Sequence, residues 1–343
     1  MSPLMVLFAL AKIVVILLVL LTVVAYAVWF ERKLLAHMQC RWGPTRVGPH
    51  GLLQPLADAI KLLTKEDLTP SEVFPLVYLL APFLSLVTAL LAFAVIPFGP
   101  VTRVGGMDLF QIADLDIGVL FILSVSSMGV YGIALAGWSS NSKYSLLGGL
   151  RSSAQMISYE LAIGLSIIGV LLLTGSLSLR AIVENQAGAY WGFLPRWNII
   201  PQFAGFVCFL VAAIAETNRL PFDLPEAETE LVAGYHTEYS SMKFGMFFMA
   251  EYANMVTASC LATLLFFGGW HGPVFGPAIL QALLPLLWFS LKVLFFLFLY
   301  VWIRATLPRF RYDQLMAFGW KFLVPLALGN LVVTSLVLAI RWS

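Results

Sequence analysis

Eight long apolar stretches dominate this chain of 343 residues and limit what it can fold into. Each can cross the roughly 30 Å hydrocarbon layer of a bilayer as a helix that rises about 1.5 Å per residue. They lie at residues 5–30, 74–96, 117–138, 153–173, 199–215, 244–267, 283–303 and 322–340. Only 11% of the residues are charged, whereas a soluble domain has about 25%. The sequence therefore predicts an all-α integral membrane protein with a single polytopic domain of about eight transmembrane helices.

The Lys and Arg residues are distributed unevenly between the two sides of this predicted bundle. Of the twenty, fourteen follow the first, third, fifth or seventh stretch, four lie on the opposite side, and Lys12 and Lys292 lie within stretches. Cytoplasmic connections of membrane proteins are enriched in Lys and Arg, so the fourteen mark the inner side. We therefore expect both termini on the periplasmic side of a bacterial plasma (inner) membrane, or a mitochondrial inner membrane if the source is eukaryotic.

Several function classes leave signatures that the sequence lacks. No basic cluster lies outside the membrane-flanking connections, which argues against nucleic-acid binding. The three cysteines form no CxxC pair, and the four histidines have no second ligand at metal-binding spacing. There is also no Walker loop, no GxGxxG before a strand and no HExxH. We therefore expect no metal site and no redox centre in this chain.

A shorter amphipathic segment at residues 52–65 follows the first stretch. Its apolar residues share one helical face: Leu52, Leu53, Leu56, Ile60 and Leu63. Its polar residues share the other: Gln54, Asp58, Lys61 and Lys65. This pattern predicts a helix lying on the cytoplasmic membrane surface.

The connection at residues 215–254 is unusually acidic. It holds seven of the eighteen acidic residues, namely Glu216, Asp223, Glu226, Glu228, Glu230, Glu238 and Glu251. A charge run is usually a solvated surface, but apolar residues such as Phe222 and Val232 are interleaved with this one. The mixture favours a loop that folds against a partner or lines a pocket.

Three glutamates, Glu160, Glu216 and Glu251, enter neighbouring stretches to a similar depth. A carboxylate at the centre of a membrane helix costs roughly 2.5 to 3.5 kcal/mol on insertion scales, so it is retained where it is solvated, paired or used. One interpretation is a hydrated proton path. The other is that each glutamate pairs with a cation or caps a broken helix. For Lys292, deeper in the seventh stretch, pairing with a carboxylate and coupling to a neighbouring ion path both stay open.

Long strings along nearly the whole chain resemble one family, the H subunit of respiratory complex I, called NADH dehydrogenase subunit 1 in mitochondria. They are ERKLLAHMQCRWGPTRVGP at 31–49, GLLQPLADAIKLLTKE at 51–66, SNSKYSLLGGLRSSAQMISYE at 140–160, ETNRLPFDLPEAETELVAGYHTEYSSMKF at 216–244, AEYANM at 250–255, FFGGW at 266–270 and WIRATLPRFRYDQLM at 302–316.

The resemblance implies a membrane subunit at the junction of two arms of a proton-translocating NADH:quinone oxidoreductase. The peripheral arm would pass electrons from NADH through flavin mononucleotide and iron–sulfur clusters to a quinone. Those cofactors belong to partner subunits, so this chain alone would bind none and would meet quinone as a substrate. The implied partners are the peripheral-arm quinone-site subunits, small membrane-arm subunits and membrane lipid.

Carried over by matching motif, the resemblance implies two sets of site residues and no catalytic side chain. The quinone path would include Arg32, Asp58, Ala59, Phe222, Asp223 and Arg304. The coupled proton path would include Glu160, Glu216, Glu226, Glu228, Glu230 and Glu251.

One departure from the family lies in the third stretch. Some relatives place a carboxylate just before the Val-Tyr-Gly of residues 130–132, where this chain has Gly129. We expect a proton path that needs this acid to be interrupted or rerouted at this point.

Three other functions stay open. The sequence does not identify the electron donor. The chain is therefore also compatible with a homologous anchor subunit of a membrane-bound hydrogenase or a ferredoxin-driven quinone reductase. A passive anchor of the peripheral arm would use the acidic connection only to dock a basic partner. A stand-alone secondary transporter would be favoured by an internal repeat with paired broken helices, and the sequence has none.

Overall fold

A computed structural model describes residues 3–104, 107–190, 194–223 and 232–342. Helices make up nearly all the regular structure in these ranges, and the strands form two small hairpins. The fold is therefore all-α, which confirms the predicted class.

The helices of these ranges follow one another along the chain with short connections between most of them. They are α1 (Pro3–Met38), α2 (Gln54–Thr64), α3 (Pro75–Leu91), α4 (Gly118–Ser139), α5 (Lys143–Thr174), α6 (Leu179–Asn185), α7 (Phe203–Glu216), α8 (Ser241–Phe266), α9 (Ala278–Thr306), α10 (Tyr312–Phe318) and α11 (Val324–Trp342). A π-helical turn at Gly319–Leu323 joins α10 to α11. Antiparallel hairpins pair β1 (Arg103–Val104) with β2 (Met107–Asp108), and β3 (Ala189–Tyr190) with β4 (Leu194–Pro195).

Six helical segments of the described ranges are long and apolar enough to cross a membrane. They are Val6–Met38, Pro75–Ala94, Gly118–Ser139, Lys143–Thr174, Gln281–Thr306 and Tyr312–Arg341. The fifth predicted stretch corresponds to α7, which has 14 residues, fewer than the roughly 17 that a straight span needs. The sixth corresponds to α8, which has 26 residues but carries Glu251 and Asn254 among its apolar residues. The number of eight spans stays a prediction.

Two helices extend well beyond their predicted stretches. Glu, Arg, Lys and Leu, which are good helix formers, continue the first, and close packing of Gly149 against Gly137 of α4 supports the start of α5. The first continues to Met38, and α5 begins ten residues early, at Lys143. Glu160 therefore lies about midway along α5. The helix ends where Gly175 adopts a φ of 68° and donates its N–H to the Leu171 carbonyl.

The core lies between α5, α7, α8 and α9. Tyr159, Phe209, Phe266 and Phe296, one from each of these helices, are almost completely buried. The first helix lies at the edge of the bundle, where Leu7 is 67% exposed. Such apolar surface requires lipid or another subunit against it.

Small residues let α3 and α5 approach α4 closely. A Cβ on Gly132 would collide with the Ser85 hydroxyl of α3, and a Cβ on Gly137 would collide with the backbone of Ser145 on α5. Close approach through small residues is a common way to pack membrane helices. It brings polar groups from neighbouring helices onto the buried face of α4.

Candidate functional site

A buried ion cluster is centred on Glu31 of α1, which is 4% exposed. Arg219, just after α7, donates from Nη1 to both carboxylate oxygens of Glu31 at 3.2 Å. Arg304 of α9 forms an ion pair with the same carboxylate. The hydroxyl of Tyr252 on α8 donates to it at 2.8 Å. One glutamate therefore ties together α1, α8, α9 and the connection after α7.

The same arginine extends the cluster to Glu251 of α8. Its Nε lies 2.5 Å from a Glu251 carboxylate oxygen, and its guanidinium lies 4.1 Å from the centroid of the Tyr252 ring. Two carboxylates and two guanidiniums give this ion cluster a balanced formal charge. Buried charges are tolerated when they are paired and hydrogen-bonded in this way. Glu251 is therefore paired with a cation, and its place on a proton path stays a prediction.

A second ion pair connects α1 to α2, and it contains two residues predicted for the quinone path. Arg32 donates to Asp58 at 2.7 Å, and the Gln54 amide donates to the other Asp58 oxygen at 3.1 Å. The Arg32 and Asp58 side chains are 46% and 24% exposed, so the pair orients α2 more than it stabilises the fold. Ala59 follows on the exposed surface of α2.

Phe222 and Asp223, also predicted for the quinone path, are held by the segment before α10. Phe222 stacks on Phe310 with ring centroids 5.5 Å apart. Arg309 donates to the buried Asp223 carboxylate at 2.8 Å. The Gln155 amide of α5 holds the Phe222 carbonyl at 2.9 Å. These contacts fix the first residues of the acidic connection against the bundle.

Two of the predicted proton-path glutamates meet at α4. Ser126 donates its hydroxyl to Glu216, and the adjacent Ser127 donates its hydroxyl to Glu160. Both glutamates are half-buried, and they interact electrostatically. The structure therefore brings a carboxylate of α5 and a carboxylate of α7 to neighbouring residues of one helix.

Three predicted proton-path residues, Glu226, Glu228 and Glu230, lie outside the described residues. Their place on the path stays a prediction.

Lys292 forms hydrogen bonds with backbone carbonyls that the sequence did not predict. Its ammonium donates to the carbonyls of Phe267, Gly269 and His271 at 2.7, 2.9 and 2.7 Å. It also lies 4.9 Å from the centroid of the Trp197 ring. This lysine therefore caps the turn after α8. Burial lowers the pKa of His271 below its ordinary value, and the positive charge of Lys292 lowers it further.

Sequence reasoning missed Glu31, Ser126 and Ser127. Glu31 directly precedes Arg32 in a motif of the family and had a readable signal, an acidic residue at the end of an apolar stretch. The two serines had none, because a hydroxyl within a membrane helix usually bonds to its own backbone.

Known proteins similar to this chain carry closely related names. Residues 11–335 match the sequence model of a family described as NADH dehydrogenase. The chain is 60% identical to an NADH-quinone oxidoreductase H subunit of Koribacter versatilis (strain Ellin345), over 97% of each protein. It is 54% identical to an H subunit of Solibacter usitatus (strain Ellin6076), over 96% of each. It is 56% identical to the H subunit of Thermomicrobium roseum, over 93% of this chain and 92% of that protein.

Proposed function

The chain belongs to the NADH dehydrogenase family, in which its relatives are H subunits of NADH-quinone oxidoreductases, and we propose that it is the corresponding membrane subunit of a proton-translocating NADH:quinone oxidoreductase. Within that enzyme it forms the membrane part of the quinone chamber and couples quinone reduction to proton movement. Its partners are the peripheral-arm quinone-site subunits and small membrane-arm subunits, and flavin mononucleotide and iron–sulfur clusters reside in partner subunits. The protein is multi-pass, with both termini on the periplasmic side.

The quinone path runs past the contact between α1 and α2 and the start of the acidic connection. Support comes from the pairing of Arg32 with Asp58 and from the anchoring of Phe222 and Asp223 by the segment before α10. Ala59 and Arg304 complete the six candidates of this set. Arg304 reaches the same region through its ion pair with Glu31. A quinone chamber at this place is lined by charges that are already paired, so an apolar tail meets little unpaired charge.

The proton path begins where the quinone path ends. Glu251 shares Arg219 with Glu31, and Glu216 and Glu160 follow at α4. Glu226, Glu228 and Glu230 continue this path in the acidic connection. A charge change in the quinone chamber shifts the balance of the ion cluster, and protonation of the glutamates responds to it.

The observation that carries this proposal is the double engagement of Arg219. It binds Glu31, which also binds the quinone-path residue Arg304, and it binds the proton-path residue Glu251. Arg219 therefore contacts one proton-path residue directly and is connected to one quinone-path residue through Glu31.

The test is Glu216→Gln in the intact complex, reconstituted into vesicles. We expect quinone reduction by NADH and proton translocation to fall together, while the amount of assembled complex and NADH oxidation by a water-soluble electron acceptor stay unchanged. Glu184→Gln, which neutralises an exposed acid on α6, is the matched control and leaves all readouts unchanged. A passive anchor would lose assembly instead of turnover, and normal pumping by an assembled Glu216→Gln complex would disprove coupling through this residue.

A further inference from the structure

The surface helix α2 is attached to the bundle by a small number of contacts. No residue of α2 is buried, and the structure describes the whole helix. Its apolar side chains are open to the surroundings, since Leu56 and Leu63 are 59% and 68% exposed. Burial in a core therefore does not fix the position of α2, and its individual contacts with α1 and α8 do.

One edge of α2 faces these two helices. Gln54, Asp58 and Leu62 follow one another at intervals of four residues and therefore share a helical face. Asp58 binds Arg32, near the end of α1. Leu62 packs on Gly245, near the beginning of α8, where a Cβ would lie 3.1 Å from the Leu62 Cδ1. The helix therefore bridges α1 and α8.

Two serines at the beginning of α8 hold the end of α2. The Ser241 hydroxyl lies 2.9 and 3.0 Å from the carbonyl oxygens of Leu62 and Lys65 and can donate to either. Carbonyls at the end of a helix lack partners within it. The Ser240 hydroxyl accepts the N–H of Leu68 at 2.9 Å. Ser241 itself adopts a φ of 54°, which a residue other than glycine keeps only where its surroundings fix the backbone.

Lys243 adds a charged contact to this junction. Its side chain is 12% exposed. The ammonium donates to the Thr69 hydroxyl at 2.8 Å and forms an ion pair with Asp67 at 3.1 Å. It also lies 5.1 Å from the centroid of the Tyr78 ring, whose hydroxyl donates to the Glu238 carbonyl at 2.6 Å. A mostly buried ammonium requires such partners, so one lysine joins the segment after α2 to the beginnings of α3 and α8.

We propose that Lys243 is a positioning residue for the quinone path. By holding Asp67 and Thr69, it fixes the end of α2 and thereby the place of Asp58, which lies near the middle of the same helix. Lys243 acts on the passage of the apolar quinone tail past α2, and it does not touch the reacting headgroup. This role rests on the proposed quinone path and belongs to a residue outside both predicted sets.

The test compares two quinones in the intact complex in vesicles, one with a long isoprenoid tail and one with the same headgroup and a short side chain. For Lys243→Met we expect the KM for the long-tailed quinone to rise about five- to tenfold, while kcat stays within about twofold. The KM for the short-chain quinone stays within about twofold of the parent. Lys243→Arg keeps the charge and the donors, so it restores most of the parental KM.

Asp67→Asn is a second variant that removes the partner of the lysine. The Asp67 side chain is 51% exposed, so this variant is expected to assemble, and it decides the question if Lys243→Met does not. We expect its KM for the long-tailed quinone to rise about two- to threefold, as for a partly exposed ion pair. Lys65→Met removes an exposed lysine of the same segment and is the matched control, with both KM values unchanged. Native gels and NADH oxidation by a water-soluble acceptor report assembly.

The outcomes separate the positioning role from the proposed function. An unchanged KM for the long-tailed quinone in the assembled variants overturns the positioning role. Equal rises for both quinones, or a failure of Lys243→Arg to lower the KM below that of Lys243→Met, overturn it as well. Asp58→Asn is assayed in parallel, and if it changes the KM of neither quinone, the proposed quinone path is wrong. A raised KM in Asp58→Asn with normal values in Lys243→Met overturns only the positioning role.

Discussion

Replacing Glu31 by glutamine removes the negative charge that Arg219 and Arg304 share. The Glu31 and Arg219 side chains are 5% and 7% exposed, and Arg304 is 32% exposed. After the change, two guanidiniums remain with one carboxylate, Glu251, at a site that water reaches poorly. Breaking a buried pair by removing one partner costs about 3 to 5 kcal/mol. Because Arg304 retains partial solvation, we expect about 3 kcal/mol, the lower end of that range.

The effect is measured as protease sensitivity of the purified complex, under conditions in which cleavage of this subunit follows the population of opened molecules. A loss of about 3 kcal/mol raises that population by roughly two powers of ten. Arg32→Gln is the matched control, since it breaks an exposed pair worth about 0.2 to 1 kcal/mol. Adding Arg304→Gln to Glu31→Gln restores charge balance, so the double variant is expected to regain part of the stability. The reasoning is refuted if Glu31→Gln is no more sensitive than Arg32→Gln.

Three further predictions follow from other contacts. Arg32→Asp should lower quinone reduction, and adding Asp58→Arg should restore most of it; failure of the swap would mean that the pair itself is not used. Lys292→Met leaves three carbonyls without their donor and should destabilise the fold by about 1 to 3 kcal/mol in thermal or protease assays; unchanged stability would contradict the capping role. The pKa of His271 is lower in the folded protein than in the unfolded chain, so the unfolded chain binds a proton at this residue at a higher pH. The free energy of unfolding therefore falls as the pH drops from about 6.5 towards the lowered pKa. His271→Gln should flatten that part of the stability profile, and an unchanged profile would contradict it.

The sequence predicts the fold class because lipid solvation requires long apolar helices. Each such helix can be recognised from its own stretch of sequence. Helix ends were predicted less well: α5 begins at Lys143 instead of residue 153, because packing against α4 continues the helix beyond the apolar stretch. Whether α7, with 14 residues, spans the bilayer depends on local thickness and tilt. Length and hydropathy alone do not contain that information.

The candidate site was predictable in its residue types and only partly in its pairings. The pairing of Arg32 with Asp58 joins residues 26 apart in sequence, both named by motif. Glu31 meets Arg219 and Arg304 across 188 and 273 residues, and no local pattern specifies contacts at such separation. Lys292 illustrates the same limit, because its partners are backbone carbonyls, which every sequence contains.

The central claim is that quinone chemistry changes the protonation of the glutamates held at α4 and in the ion cluster. Infrared difference spectroscopy of the intact complex, reduced with NADH in the presence of quinone, detects carboxyl groups that gain or lose a proton. We predict a carboxyl band in the parent complex that is lost in Glu216→Gln and retained in Glu184→Gln. A difference spectrum that Glu216→Gln leaves unchanged in an assembled complex would contradict the account.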